Sequence, residues 1–239
     1  MRSRRMRADH PESDHRLLGR REAIVALGGI GVIWYASRAA RRAIRSAFAV
    51  RPASAASTCV LAPEETEGPY YIANEPFRSD ITEDHPGLPL VIRFRVRSAT
   101  TCKRIAGATV EIWHADAGGN YSGINGASTT FLRGQQTTNG VGRAEFTTIY
   151  PGWYMGRTAH IHVKVHVGGT VVHTGQLYFD DTITDALYAQ APYAAHGRRD
   201  TTNASDGIYA RGGAQSLLKL RKRGKKGGYA ARNTLAVQT

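Results

Sequence analysis

Apolar residues in this chain recur mostly at every second position, in short runs separated by glycine, asparagine and proline. The clearest run is Leu88-Pro89-Leu90-Val91-Ile92-Arg93-Phe94-Arg95-Val96-Arg97, in which apolar residues alternate with arginines. Successive strand side chains point to opposite faces, so this run predicts a strand with one face buried. Comparable strands are predicted over Ala108–Trp113, over Arg143–Ile149 after an Asn139-Gly140 turn, and over Thr170–Phe179 after Gly168-Gly169. Two more are predicted over Arg157–Val167 and, closing the chain, Tyr229–Val237. The one helical pattern is short, around Thr182–Ala189. Residues 194–228, rich in glycine, alanine and charge, are predicted as loop. Short strands joined by turn residues predict a mainly β fold: a β-sandwich with long loops and little helix.

Charge changes the picture at the ends. The formal net charge of +13 would ordinarily point to nucleic acid. Its distribution argues otherwise. Residues 1–55 hold 12 arginines against 4 acids, residues 211–239 hold 8 basic residues and no acid, and residues 56–210 hold 12 basic and 15 acidic residues. The body is nearly neutral, and no nucleic-acid partner is expected. Arg20-Arg21 precede an apolar, glycine-containing stretch from Ala23 to Ala36, the pattern of a twin-arginine export signal. That stretch is shorter than the ~20 residues of a membrane-spanning helix. Ala53-Ser54-Ala55 and Ala47-Phe48-Ala49 are candidate cleavage sites. Arg38, Arg41, Arg42 and Arg45 leave an uncleaved, membrane-anchoring N-terminus as the alternative.

The expectation is therefore an exported protein (secreted, periplasmic or at the cell surface) with no membrane span in its mature chain. Residues 1–55 would be signal and linker, and residues 56–239 one domain, large enough for a real core. A basic loop is expected at 219–228. Its cluster Arg221-Lys222-Arg223-Gly224-Lys225-Lys226 has no interleaved aromatics and reads as a solvated loop, open to weak attraction for polyanions. An oxidising compartment would permit Cys59 and Cys102 to pair, at a gain of about 3 kcal/mol; two free thiols are the alternative.

The chemistry begins at His160-Ile161-His162. Two residues apart on a strand, both imidazoles share a face and can aim at one point. Alone, the pair would suit zinc with a third ligand and a water. No HExxH helix and no cysteine cluster accompanies it. Tyrosines do: Tyr154 ends Pro151-Gly152-Trp153-Tyr154, and Tyr121 ends the segment that starts at Trp113 and runs through Gly118-Gly119-Asn120.

Taken in order, five segments resemble the intradiol ring-cleavage dioxygenases, non-haem Fe(III) enzymes that open catechols between the two hydroxylated carbons. They are Glu67-Gly68-Pro69-Tyr70-Tyr71, Glu111–Tyr121, Pro151–Tyr154, Arg157-Thr158-Ala159-His160-Ile161-His162 (with Thr158 where the family usually has proline) and Gly175-Gln176-Leu177-Tyr178-Phe179. The resemblance spans roughly Cys59 to Tyr209, and it is closer to the secreted, single-domain branch than to the branch with a helical N-terminal dimerisation domain. It implies one ferric ion per chain held by Tyr121, Tyr154, His160 and His162, with O2 as co-substrate and a small aromatic diol converted to a cis,cis-muconate.

Physical chemistry agrees with that donor set. Phenolates are hard anionic donors that suit Fe(III), and a trivalent ion would depress the tyrosine pKa from its ordinary value near 10. The resemblance also implies that Tyr154 serves as ligand and then as base, that Arg157 and Gln176 act in the pocket, and that Gly68, Tyr70, Tyr71 and Trp113 lie around it. Arg157 stands at an odd offset from His160, so a regular strand would point it away; a bend before the strand would reconcile the two. His114 and Asp116 read as structural, and His166 and His173 as surface strand residues. Homo-oligomerisation is left open. Two other classes stay open as well: a non-catalytic sandwich that binds an aromatic ligand, carbohydrate or partner, and a zinc or copper enzyme built on the histidine pair.

Overall fold

A computed structural model describes residues 59–239. The predicted export signal, its linker and both candidate cleavage sites lie outside the described residues.

The chain folds into two four-stranded sheets. β1 (Pro89–Ser98), β4 (Arg143–Ile149), β7 (Arg221–Lys222) and β8 (Tyr229–Val237) form the first, in the order β4-β1-β8-β7. β2 (Thr109–Trp113), β3 (Arg133–Thr137), β5 (His160–Val167) and β6 (Thr170–Tyr178) form the second, in the order β3-β2-β5-β6. Neighbours are antiparallel except β1 and β8, which run parallel. The one α-helix among the described residues, α1 (Asp181–Tyr188), is capped by Asp180, whose carboxylate accepts from the Thr182 and Ile183 backbone N–H groups.

Alternation explains the core. Leu90, Ile92, Phe94 and Val96 of β1 point inward with Phe146 of β4 and Leu235 of β8, against Val110, Ile112, Ile161, Val163 and Val165 of the second sheet. Each such side chain contributes about 1.5–3 kcal/mol by leaving water. The mainly β sandwich predicted from alternation is present. β3 was not predicted, because Arg133-Gly134-Gln135-Gln136-Thr137 has no apolar alternation; it forms by pairing with β2. The strand predicted from Arg157 begins at His160. The basic cluster is not all loop, since Arg221 and Lys222 pair with Ala230 and Tyr229. His173, predicted at the surface, is buried, with Nδ1 2.6 Å from Glu64 Oε1.

The opposite face of β5 carries His160, His162 and Lys164, and these are buried too. An N-terminal arm covers them. The arm starts at Cys59, which forms a disulfide with Cys102. It then runs beside β6, with Glu65 N donating to Thr174 O and Thr174 N donating to Glu64 Oε2. A strand edge that would otherwise lack partners is thereby covered. Among the described residues no helix is long and apolar enough to cross a membrane.

His114 is fully buried between the sheets and the tyrosine-bearing loop. Its Nδ1 lies 2.8 Å from Ala115 O and its Nε2 2.7 Å from Thr148 Oγ1. A carbonyl can only accept, so Nδ1 carries the hydrogen and Nε2 accepts from the Thr148 hydroxyl. Burial lowers its pKa to about 4. Because the unfolded chain then protonates first, the contribution of neutral His114 is complete above about pH 6.5 and is lost as pH falls toward 4. Denaturant unfolding of the wild type and of His114→Asn should give a stability difference that shrinks by roughly 3 kcal/mol between pH 7 and pH 4; a constant difference would show that this imidazole does not titrate on unfolding.

Candidate metal centre and pocket

β5 and two loops bring four side chains together. His160 Nε2 lies 3.1 Å from His162 Nε2 and 3.5 Å from the Tyr154 hydroxyl. The Tyr121 ring stands edge-on to Tyr154 at 5.7 Å between centroids and to His162 at 6.2 Å. The Tyr121 hydroxyl is buried and has no hydrogen-bond partner. His160 Nδ1 is 2.7 Å from Thr158 O, which fixes the ring's hydrogen on Nδ1 and leaves a lone pair on Nε2 facing the centre. Burial lowers the His160 pKa to about 3 and drives His162 well below the ordinary histidine range, so both rings are neutral donors. Burial raises both phenols, and Tyr154 is drawn back in part by Arg157.

An unpartnered buried phenol, two neutral imidazoles with converging Nε2 atoms, and a guanidinium beside the second phenol fit a hard cation that binds two phenolates and two imidazoles. Among the described residues no group of three or more His, Cys, Asp or Glu side chains could hold a metal. The zinc or copper alternative would need such a third ligand.

The loops are held by close backbone contacts. Asp116 Oδ1 accepts from the N–H groups of Gly118 and Asn120, which closes the turn before Tyr121. Gly152 N donates to Asp116 O at 3.0 Å, and a Cβ on Gly152 would stand 2.1 Å from that oxygen. Only glycine lets the two tyrosine-bearing loops touch there. Gly68 has φ +71°, and a Cβ on it would lie 3.3 Å from His162 Cε1, so the arm also passes close over the site. Tyr70 stacks on Tyr121 at 4.4 Å and stands edge-on to Tyr154 at 5.6 Å, covering both phenols. Trp113 stacks on His162 at 4.8 Å with planes 4° apart. Tyr71 packs on Trp113 and donates to Glu111, with Lys164 Nζ 3.3 Å above its ring.

Arg157 reaches the centre despite its odd offset, because it lies in a turn after Gly156 and not in the strand. Its Nη1 is 3.3 Å from the Tyr154 hydroxyl and 3.4 Å from His160 Nε2; its Nη2 donates to Gln176 Oε1. Asp206 holds the guanidinium through Nε at 2.9 Å and also accepts from Thr158 N. Burial would raise the Asp206 pKa, but these hydrogen bonds and the guanidinium win and hold it below the ordinary value.

Sequence reading missed Asp206, Glu65, Arg133 and Ser122. Arg133 donates to Ser122 O through Nε and Nη2, sits over the Tyr121 ring with Cζ 5.8 Å from its centroid, and lies 3.5 Å from Glu75. It steadies the tyrosine loop from behind. These residues are distant in sequence from the groups they hold, and no local motif marks them.

Two phenols and two imidazoles on the outer side of the second sheet form a candidate N2O2 donor set. A family model described as Dioxygenase matches residues 66–201. The chain belongs to the intradiol ring-cleavage dioxygenase family. It is 31% identical over 138 residues to a chlorocatechol 1,2-dioxygenase of Pseudomonas putida, covering 48% of this chain and 52% of that protein. It is 39% identical over 100 residues to catechol 1,2-dioxygenase 1 of Acinetobacter lwoffii, covering 38% and 32%. The chain thus spans about half the length, or less, of these curated relatives. Among solved structures, an intradiol ring-cleavage dioxygenase from Tetranychus urticae matches with a TM-score of 0.72 and 35% identity, over 75% of this chain and 95% of that one. The dioxygenase domain of a dioxygenase and carbohydrate-binding protein fusion from Streptomyces sp. SirexAA-E matches with a TM-score of 0.60 and 30% identity, over 75% and 99%.

Tyr178 links the pocket to the arm. Its hydroxyl has one hydrogen but two oxygen neighbours, Glu65 Oε2 at 2.8 Å and Gln176 Oε1 at 3.1 Å. Burial raises the Glu65 pKa above 4.5, and the hydrogen bond from Tyr178 offsets this only in part. Carbon-13 NMR of glutamate-labelled protein should show one side-chain carboxyl, absent in Glu65→Gln, that titrates above 4.5. Tyr178→Phe should move that midpoint upward, since it removes a hydrogen bond that favours the charged form. A downward move would contradict the assignment.

Proposed function

We propose that this chain is an extracytoplasmic intradiol dioxygenase. Its substrate would be catechol or a substituted catechol, its product a cis,cis-muconate, and its cofactor one non-haem ferric ion held by Tyr121, Tyr154, His160 and His162. The observation that carries the proposal is the convergence of His160 Nε2, His162 Nε2 and the Tyr154 hydroxyl within 3.5 Å steps, beside the unpartnered Tyr121 hydroxyl. The names of the relatives support the substrate class. Arg20-Arg21 and the Cys59–Cys102 disulfide support export, with residues 1–55 as signal and linker and residues 56–239 as one domain.

Ferric iron, when bound, would chelate the diol through both oxygens and make its ring open to attack by O2. The protein's own groups prepare that event. Arg157 favours the charged form of Tyr154, so the phenolate is placed to accept a proton from an entering diol hydroxyl. Asp206 and Gln176 fix the guanidinium that faces negative charge in the pocket. The Thr158 carbonyl keeps the His160 lone pair aimed inward. Tyr70 shields the phenols from water.

Purified protein should contain one iron per chain and be red-brown from phenolate-to-iron charge transfer. With a panel of catechols it should consume O2 and produce a muconate absorbance. Tyr154→Phe should shift the colour and slow turnover by about 100-fold or more, the scale of a lost general base. A colourless protein that binds zinc, or one that leaves O2 unconsumed across the panel, would sink the assignment.

A further inference from the structure

The outer face of the first sheet, on the side of the sandwich away from the metal centre, is lined with arginine. Since Leu90, Ile92, Phe94 and Val96 point into the core, Arg93 and Arg95 of β1 point out. The same alternation places Arg143 and Glu145 of β4, Arg232 of β8 and, opposite Ala230, Arg221 of β7 on that face. The register sets like charges side by side. Arg95 is paired directly with Arg143, and Arg93 lies next to Arg232. Like charges directly opposite on neighbouring strands destabilise a sheet, by about 0.2–1 kcal/mol for a pair. Glu145 offsets only Arg93, at 2.5 Å; Arg95, Arg143, Arg221 and Arg232 make no ion pair among the described residues. The fold keeps an electrostatic cost that a single acidic residue at any of these positions would relieve.

Two clefts meet at Arg93 and Arg143. One, of about 250 Å³, crosses β1 and β8 and adds Arg95, Arg232 and Thr234; Asn233 also borders it, but it shares the inward face with Phe94. The other, of about 540 Å³, crosses the open edge between β4 and β3 and adds Ser79, Gln136, Thr137, Asn139, Thr147 and the carboxylate of Glu145. Together they form an elongated track of guanidinium forks with hydroxyl and amide side chains between them, broken once by the Glu145 carboxylate on Arg93. Forks match carboxylates and phosphates in bidentate fashion, and the hydroxyls and amides between them can exchange hydrogen bonds with sugar hydroxyls. No aromatic side chain stands on the track to stack with bases, since Phe94 is fully buried. Nor does an exposed apolar side chain stand among the arginines to enter a bilayer: Val91, their neighbour on β1, is 4% exposed.

We propose that this arginine face is a docking surface for a carboxylated polysaccharide. An occupant there leaves the metal centre uncovered, because that centre lies on the outer side of the other sheet. The inference is independent of the dioxygenase assignment.

The test measures binding of the full chain to polygalacturonate, with neutral dextran as control. The variant R95Q/R143Q/R232Q should bind at least about tenfold more weakly, with a shallower salt dependence. Its melting temperature should hold or rise, because like-charge repulsion is relieved. R95K/R143K/R232K keeps the charge but loses the forks and should fall between the two. K219Q/R223Q/K225Q, in the C-terminal segment, should change affinity less than about threefold. Three outcomes overturn the proposal: equal loss in the C-terminal variant, no loss in the face variant, or tighter binding to duplex DNA or phosphatidylglycerol vesicles through the same three arginines.

Discussion

The second sheet is buried on both sides, and one of those sides is polar. Val110, Ile112, Ile161, Val163 and Val165 face the sandwich core, while Trp113, Glu111, His160, His162, Lys164 and Gln176 face the arm and loops. A buried polar group without a partner costs several kcal/mol, so this layer is stable only if the covering segments supply partners in register. They do so one by one: Glu67 for Lys164, Tyr71 for Glu111, the Thr66 carbonyl for Gln176, the Thr158 carbonyl for His160. Partners fail in this layer at the Tyr121 hydroxyl, which faces the centre, and at His162 Nδ1, Trp113 Nε1 and Glu65 Oε1 around it. The imperfection marks the place where function and stability make different demands.

The electrostatics follow from the same burial. Low-dielectric surroundings push phenols up and imidazoles down, so all four groups rest neutral. Such a set does not repel itself and can wait for a cation. Arg157 brings full charge to the Tyr154 side of the group, balanced by Asp206, and Arg133 stands over the Tyr121 ring on the other side. Arg157 therefore biases Tyr154 toward the phenolate without placing a net charge in the interior. Tyr121, farther from that guanidinium and fully desolvated at its hydroxyl, is the phenol held more firmly neutral. Two chemically identical side chains are given different proton affinities by position.

Much of this was legible in the sequence, and the exceptions share a cause. Alternation located six strands because one-sided burial writes itself into every second residue; Arg93 and Arg95 show it as clearly as Phe94. The His-x-His spacing placed two imidazoles on one face for the same reason. β3 escaped because its residues pair by backbone hydrogen bonds while its side chains serve the tyrosine loop. Arg157 defied strand parity because Gly156 and the bridge between Tyr154 and Arg157 turn the chain before β5 starts. Asp206 and Glu65 carry no local signature: each meets Arg157 or Tyr178 only after the chain has folded, and nothing in their neighbours foretells it. Periodicity reports which face is buried; it does not report which distant residue satisfies a buried charge.

The two outer faces of the sandwich show how differently one architecture can treat water. On the first sheet, arginines stand in solvent, their repulsion screened and their cost small. On the second, comparable polarity is enclosed, and its partners must be precise to fractions of an ångström. The difference rests on the arm, a segment with no strand of its own from Cys59 to Phe77. Its start is tied by a covalent bond to Cys102, beyond the end of β1, and its far side is pinned where Phe77 bridges Gln135 and Ile81 enters the core. Tethered at both ends, it has few alternative paths to lose when it closes over the histidines, so the entropy of ordering it is small. A short irregular segment can thus hold a polar layer dry where another strand, with its fixed side-chain alternation, would satisfy only half of it.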